Sequence, residues 1–309
     1  MSSTIVSRIL YTLALSVGSA AAADTFTSFD YPSATTTQPF GLNVDGAVVG
    51  SFVDSAGATH GFLLREGHFT SIDYPGAVYT SALGINSQGD IVGCHIEDAT
   101  RIPGTIGCHG YLLHQGTFTS IDVPGKFGAI AAHINDAGQI VGCAHDDDGP
   151  GGTMMNDMHG FMYSNGNYSQ LSAMATMNYS VTPDGGVTLG VVTMNGTHGY
   201  LASGDAIVPF DFPFATLTNP FDISPAADVI VGAYIDAAKG THGFLMRMGD
   251  STGTLGVTGP FEFFTIDYPG STRTVARGIN PQGDIVGYYN DAAGKTHGFF
   301  MSPGRHRQD

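Results

Sequence analysis

The sequence of 309 residues predicts an all-β fold, a six-bladed β-propeller with four antiparallel strands per blade, on three observations. A His-Gly-aromatic triplet recurs six times, beginning at His60, His109, His159, His198, His242 and His297, at intervals of 49, 50, 39, 44 and 55 residues. Periods of roughly 40–50 residues belong to solenoids and propellers. Each unit also holds four short apolar runs separated by Gly, Asn and Asp, the pattern of consecutive antiparallel strands. Nowhere do apolar residues recur at helical spacing over a dozen positions.

The first strand of a unit is a Gly-Ile-Asn-like run ending at Asn43, Asn86, Asn135 or Asn280. The second is a β-branched pair closed by glycine, as in Val48-Val49-Gly50, Ile91-Val92-Gly93, Ile140-Val141-Gly142, Ile230-Val231-Gly232 and Ile285-Val286-Gly287, with Thr188-Leu189-Gly190 the weakest copy. The third carries the His-Gly-aromatic triplet, and the fourth reads FTSID. Glu66-Gly67, Gln115-Gly116 and Asn165-Gly166 are two-residue turns suited to tight hairpins, so third and fourth strands belong to one blade. The first FTSID copy, residues 26–30, is then an outer strand without its blade, and the last unit, residues 273–301, is a blade without its outer strand. Pairing the two ends closes a ring of six and covers edges that an open array would expose.

Along the chain, Arg8, an apolar run over residues 9–17 and Ser19-Ala20-Ala21-Ala22-Ala23 read as a secretory signal at 1–23. A single domain follows at 24–304, with a polar tail at 305–309. No later run is long enough to span a bilayer. Net charge is −16, with 11 Lys and Arg against 27 Asp and Glu, which argues against nucleic acid and anionic membranes as partners. Three cysteines suit an oxidising compartment, secreted or periplasmic. Cys94 and Cys108 stand at the two ends of one hairpin loop and are expected to pair. A Cys94 to Cys143 bridge between blades is the alternative. The unit over residues 168–205 is the most degenerate, with Ser172 and Thr182 in place of the usual Asp and Asn.

The hairpin turns place His60 opposite Asp73, His109 opposite Asp122 and His198 opposite Asp211; His242 meets Asp267 if the long hairpin 246–263 keeps register, and His297 meets Asp30 through ring closure. Cross-strand partners lie on one face within reach. A pair repeated five times reads as a structural hydrogen bond more naturally than as an acid/base dyad. His159 faces Ser172 and is expected to lack a carboxylate. Loops joining second to third strands and outer strands to the next blade share one end of a propeller, here called the upper face. Two of these, 95–108 and 144–158, are long, and irregular loops on a rigid scaffold concentrate function. Asp146, Asp147, Asp148 and Asp157 in the second could hold Ca²⁺, whereas its Met and His would suit copper; a solvated acidic loop is the plain alternative, because the spacing matches no calcium-loop motif. Gly249-Asp250-Ser251-Thr252-Gly253 has the letters of a nucleophile elbow without the strand-to-helix context that motif requires.

Read together, FTSIDYPG, ALGINSQGDIVG and HGYL resemble the HAF-repeat family of extracellular bacterial repeat proteins, over about residues 26–301. The resemblance implies secretion and repeat architecture, and brings no activity or catalytic residue. A secreted, monomeric binding scaffold is therefore expected, engaging an extracellular glycan or protein through loops 95–108 and 144–158. The alternative is a propeller-borne hydrolase or lyase acting on an extracellular polymer through upper-face His, Tyr79 and Asp. A central pocket with converging ionisable groups would favour the enzyme.

Overall fold

A computed structural model describes residues 24–98, 107–146, 158–171, 176–192, 196–204, 206–249 and 261–304. The signal-like leader, Ser172, most of the two long loops (99–106 and 147–157), residues 250–253 and the tail 305–309 lie outside them. Among the described residues there are 24 strands and no helix.

The first strand, β1 (Thr25–Phe29), is followed by five sheets of four in chain order. These are β2 (Thr36–Leu42), β3 (Val48–Val53), β4 (Thr59–Arg65) and β5 (His68–Ile72); β6 (Tyr79–Ile85), β7 (Ile91–Ile96), β8 (His109–His114) and β9 (Thr117–Ser120); β10 (Gly128–Ile134), β11 (Ile140–His145), β12 (Met158–Ser164) and β13 (Asn167–Gln170); β14 (Thr176–Val181), β15 (Thr188–Val192), β16 (His198–Ser203) and β17 (Ala206–Phe210); β18 (Leu217–Ile223), β19 (Val229–Ile235), β20 (Thr241–Arg247) and β21 (Glu262–Ile266). The last strands, β22 (Arg273–Ile279), β23 (Ile285–Asn290) and β24 (Thr296–Ser302), take β1 as their fourth, with Phe26 opposite Met301 and Phe29 opposite Gly298. Single parallel bridges, Thr36 to Thr296 and Thr59 to Tyr79, link three of the sheets laterally. Each sheet's first strand touches the next sheet's first strand, and β22 touches β2.

Local chemistry sets each joint. Glu66, Gln115 and Asn165 have φ of 51°, 48° and 51° and each precedes a glycine of positive φ, the primed turn that matches strand twist. Four fourth strands, β1, β5, β17 and β21, are followed by an aromatic-Pro-x turn, at Tyr31, Tyr74, Phe212 and Tyr268, and β9 by Val123-Pro124-Gly125. The Thr37, Thr80, Thr218 and Thr274 hydroxyls accept the N–H of Tyr31, Tyr74, Phe212 and Tyr268 at 2.9–3.0 Å and fix the exit. At the opposite end, Asn43 Oδ1 accepts the N–H groups of Asp45 and Ala47, while its Nδ2 donates to the Asn86 carbonyl of the neighbouring sheet. Asn86 and Asn135 reach onward in the same way, to Asn135 O and Thr182 O.

The core lies between adjacent sheets: Val49 and Ile72 of one pack with Ala82, Ile85 and Tyr111 of the next. The second-strand glycines are explained by close approach. A Cβ at Gly50, Gly93, Gly142, Gly190, Gly232 or Gly287 would stand far inside 3.0 Å of a first-strand carbonyl, and third-strand rings such as Phe62 and Tyr111 cover the same spot.

Candidate functional site

On the upper rim the register brings each expected pair together. His60 Nδ1 is 2.6 Å from Asp73, His109 Nδ1 3.2 Å from Asp122, His198 Nδ1 2.9 Å from Asp211, His242 Nδ1 3.0 Å from Asp267 and His297 Nδ1 2.9 Å from Asp30. In three sheets a second carboxylate, from the turn after the second strand, reaches Nε2: Asp54 and Asp236 at 3.5 Å and Asp291 at 3.4 Å. Backbone N–H donors, Ala58 to Asp54 and Lys295 to Asp291, are the largest influence holding those two carboxyls below their usual range. His60, His242 and His297 also stack on their sheets' aromatic piles, as in Tyr31–Phe52–His60 and Tyr268–Tyr289–His297.

His159 corrects the sequence expectation. Its Nε2 lies 2.6 Å from Asp146 Oδ2, and Asp146 also accepts from Lys126 Nζ. Asp146 follows β11 as Asp54 follows β3, so the partner comes from the second-strand turn, a source the outer-strand pairing rule did not consider. Lys126 first, then His159, holds the Asp146 carboxyl low against the opposing effect of burial. That carboxylate is thus occupied; Asp147, Asp148 and Asp157 lie outside the described residues. Among the described residues no group of three or more His, Cys, Asp or Glu is arranged to hold a metal.

Cys94 and Cys108 form a disulfide with Cα atoms 5.7 Å apart. Tyr79 and Ile130 pack against it, so Tyr79 serves the packing around the bridge. Cys143 is free and buried, and burial pushes its thiol up to about 12, leaving almost no thiolate at neutral pH.

The ionisable groups that converge do so on the axis. Every first strand carries a bulge, at Phe40, Leu83, Ala132, Tyr179, Phe221 and Arg277, where the pairing with the second strand skips one residue. A bulge frees a side chain from the pleat and re-aims it. These six residues line a cavity of about 370 Å³. The next position is Gly41, Gly84 and Gly278 in three sheets, but His133, Ser180 and Asp222 in three consecutive ones. A second cavity of about 190 Å³ continues toward the turns that hold Asn43, Asn86, Asn135 and Asn280, sharing Leu42, Ile85, His133 and Asp222 as walls. The second cavity therefore lies toward the end of the sheets opposite the rim His–Asp pairs.

Asp222, 6% exposed, is clamped by three donors: Ser180 Oγ at 2.6 Å and the Ile223 N–H at 2.9 Å to Oδ1, and the Ile279 N–H at 2.9 Å to Oδ2. Burial pushes its carboxyl up, opposed by His133 and those donors. His133 Nε2 is 3.7 Å away, beyond hydrogen-bond reach, and burial pushes the imidazole down against Asp222 and Asp136. Arg277 Cζ sits over the Phe221 ring at 3.8 Å and near Phe40 at 4.7 Å, in cation–π geometry. Its Nε is buried without a partner, and among the described residues no carboxylate lies within 4.0 Å of the guanidinium. Burial lowers its pKa, countered by Tyr288, Tyr179 and Asp222. Tyr179 is pushed up to about 12 by burial. The sequence did hold a signal for these residues: with the units aligned on Asn43, Asn86, Asn135 and Asn280, His133, Asp222 and Arg277 stand out against glycine and apolar neighbours.

No family model matches the chain, and no curated protein matches it. Solved structures do. TolB from Acinetobacter baumannii superposes with a TM-score of 0.54 at 12% identity over 84% of this chain and 65% of its own. A putative TolB from Agrobacterium tumefaciens gives 0.55 at 14% identity over 93% and 100%. Aleuria aurantia lectin in complex with Fucalpha1-6GlcNAc gives 0.51 at 9% identity over 89% and 98%, and a gluconolactonase from Xanthomonas campestris 0.52 at 12% over 87% and 86%. At these identities the likeness is one of fold, and the chain is an all-β protein of the β-propeller type.

Proposed function

We propose that this chain is a secreted or periplasmic six-bladed propeller, closed by β1 on β24, that serves as a binding scaffold for an extracellular glycan or protein. The leader at 1–23, the domain at 24–304, the β1–β24 pairing and the disulfide support this reading. The rim His–Asp pairs are structural in it, tying third to fourth strands. Loops 95–108 and 144–158 contribute partner contacts, and Ca²⁺ in the second would fall to Asp147, Asp148 and Asp157.

One observation carries the preference for binding over catalysis. The axial carboxylate, Asp222, spends its oxygens on three protein donors and stands 3.7 Å from His133, so no acid/base pair is formed on the axis. A lectin and a gluconolactonase share the fold, which by itself favours neither. The second reading, a hydrolase or lyase on an extracellular polymer, rests on that same proximity inside a cavity, which substrate could tighten. The test is retention of the exported protein on immobilised extracellular polysaccharides, with reducing ends and unsaturated sugars assayed in the eluate. Retention without product is expected. Product that accumulates with wild type and disappears with His133→Ala would replace the binder with the enzyme.

A further inference from the structure

We infer that the axial cavity binds the carboxylate of a small organic acid of about monosaccharide size, with the Arg277 guanidinium as its anchor; this rests on the binding reading above. Arg277 is half-buried with its Nε wholly enclosed, and a guanidinium even partly withdrawn from water is costly unless paired. This chain has 27 Asp and Glu for 11 Lys and Arg, yet Arg277 has no carboxylate within 4.0 Å and no hydrogen bond among the described residues. The bulge at Arg277 delivers the side chain to the axis, where it lines the cavity. Among its nitrogens Nε alone is wholly buried without a partner, so the Nη pair, which makes no hydrogen bond among the described residues, keeps some accessible surface on a side chain that lines the cavity.

The geometry selects the kind of anion. Phe221 at 3.8 Å covers the flat face of the guanidinium, so a ligand must meet its edge in plane. A carboxylate does this with two parallel hydrogen bonds. Asp222 lines the same cavity and the chain carries net −16, so a single negative charge is tolerated where a phosphate dianion is repelled. A volume of about 370 Å³ falls at the small-ligand end of binding pockets.

The probe is D-glucuronate, with D-glucose and inorganic phosphate as comparisons, titrated calorimetrically into the exported protein and into Arg277→Gln and Arg277→Lys. Glucuronate should bind wild type, at least tenfold more weakly to Arg277→Lys and undetectably to Arg277→Gln, while glucose and phosphate give no saturable heat. Should Arg277→Gln fail to fold, phenylglyoxal modification of wild type decides: glucuronate must slow labelling of Arg277 relative to glucose. Unchanged labelling, no glucuronate binding to wild type, or glucuronate binding that survives Arg277→Gln overturns the carboxylate site. Should one of these results come with wild type still retained on polysaccharide, the scaffold reading stands while this one falls.

Discussion

Gly142→Ala, compared with Gly138→Ala four residues earlier, separates two reasons for a glycine. Gly138 has φ of 73° with nothing within 4 Å of a built Cβ, so alanine there meets only left-handed backbone strain, roughly 1–2 kcal/mol. Gly142 has ordinary strand geometry, but a Cβ would collide with the Ile130 carbonyl of β10, and nearby backbone leaves it no alternative direction. Relief requires β10 and β11 to part by well over half an ångström at the Ile130–Cys143 pair, on strands normally spaced about 4.8 Å apart. Overpacking of roughly 1–3 kcal/mol and one or two weakened ladder bonds of about 1 kcal/mol each sum to about 2–5 kcal/mol. For a domain of this length that is a fall in Tm of roughly 4–10 °C, against about 2–4 °C for Gly138→Ala. Differential scanning calorimetry on both variants reads it. Equal shifts, or a larger shift for Gly138→Ala, would refute the close-approach account of the second-strand glycine.

Deleting residues 24–32 removes β1 with Phe26 against Tyr268 and Phe299, and should destabilise the fold by roughly 3 kcal/mol or more, read by urea denaturation; an unchanged midpoint would mean that β1 contributes nothing to holding the last sheet. Replacing both Cys94 and Cys108 by alanine should cost about 3 kcal/mol by the chain-entropy estimate, and non-reducing peptide mapping of wild type should recover the two as one linked species. His95 stacks on Tyr74 at 3.5 Å where the other piles use Phe52, Tyr234 or Tyr289, and burial first, then His109, lowers its pKa below 6.5, with Glu97 opposing. The unfolded chain then binds the extra proton, so this site's contribution is intact above pH 6.5 and is lost as pH falls through that value toward the folded-state pKa. His95→Tyr should therefore stabilise more at pH ~5.5 than at pH ~7.5, and a gain independent of pH would contradict the assignment.

Strand order was legible because turn chemistry and apolar runs are local, and six copies average out noise. Glu66-Gly67 and its equivalents set the hairpin registers that place His60 with Asp73, while the pairing of the two chain ends places His297 with Asp30. The axial site is harder to read, because a bulge adds a residue without disturbing the apolar run that announces the strand. Arg277 therefore reads as a polar interruption in a run that otherwise faces its neighbours. The unit with Thr182 is the most degenerate in sequence, and its Tyr179 and Ser180 are part of the axial lining and of the Asp222 clamp. His159 was misassigned because the pairing rule considered one neighbouring strand and its partner came from a turn. Phe214 escaped notice for a similar reason: it takes the left-handed position of an aromatic-Pro-x turn, φ 63°, where other copies have Gly76, Gly125 or Gly270, and it is 96% exposed.

The pairing of β1 with β24 also brings the ends of the described chain side by side, with the Gly304 N–H donating to Asp24 Oδ1 at 3.1 Å. A circular permutant that opens at the Tyr31-Pro32 turn and joins residue 304 to residue 24 through a short linker would make β1 the covalent sequel of β24. The strand that must now travel the length of the sequence to find its partner would become one arm of an ordinary hairpin. Its loop-closure entropy would shrink to that of a few residues, and the slowest contact of the natural order would become one of the fastest.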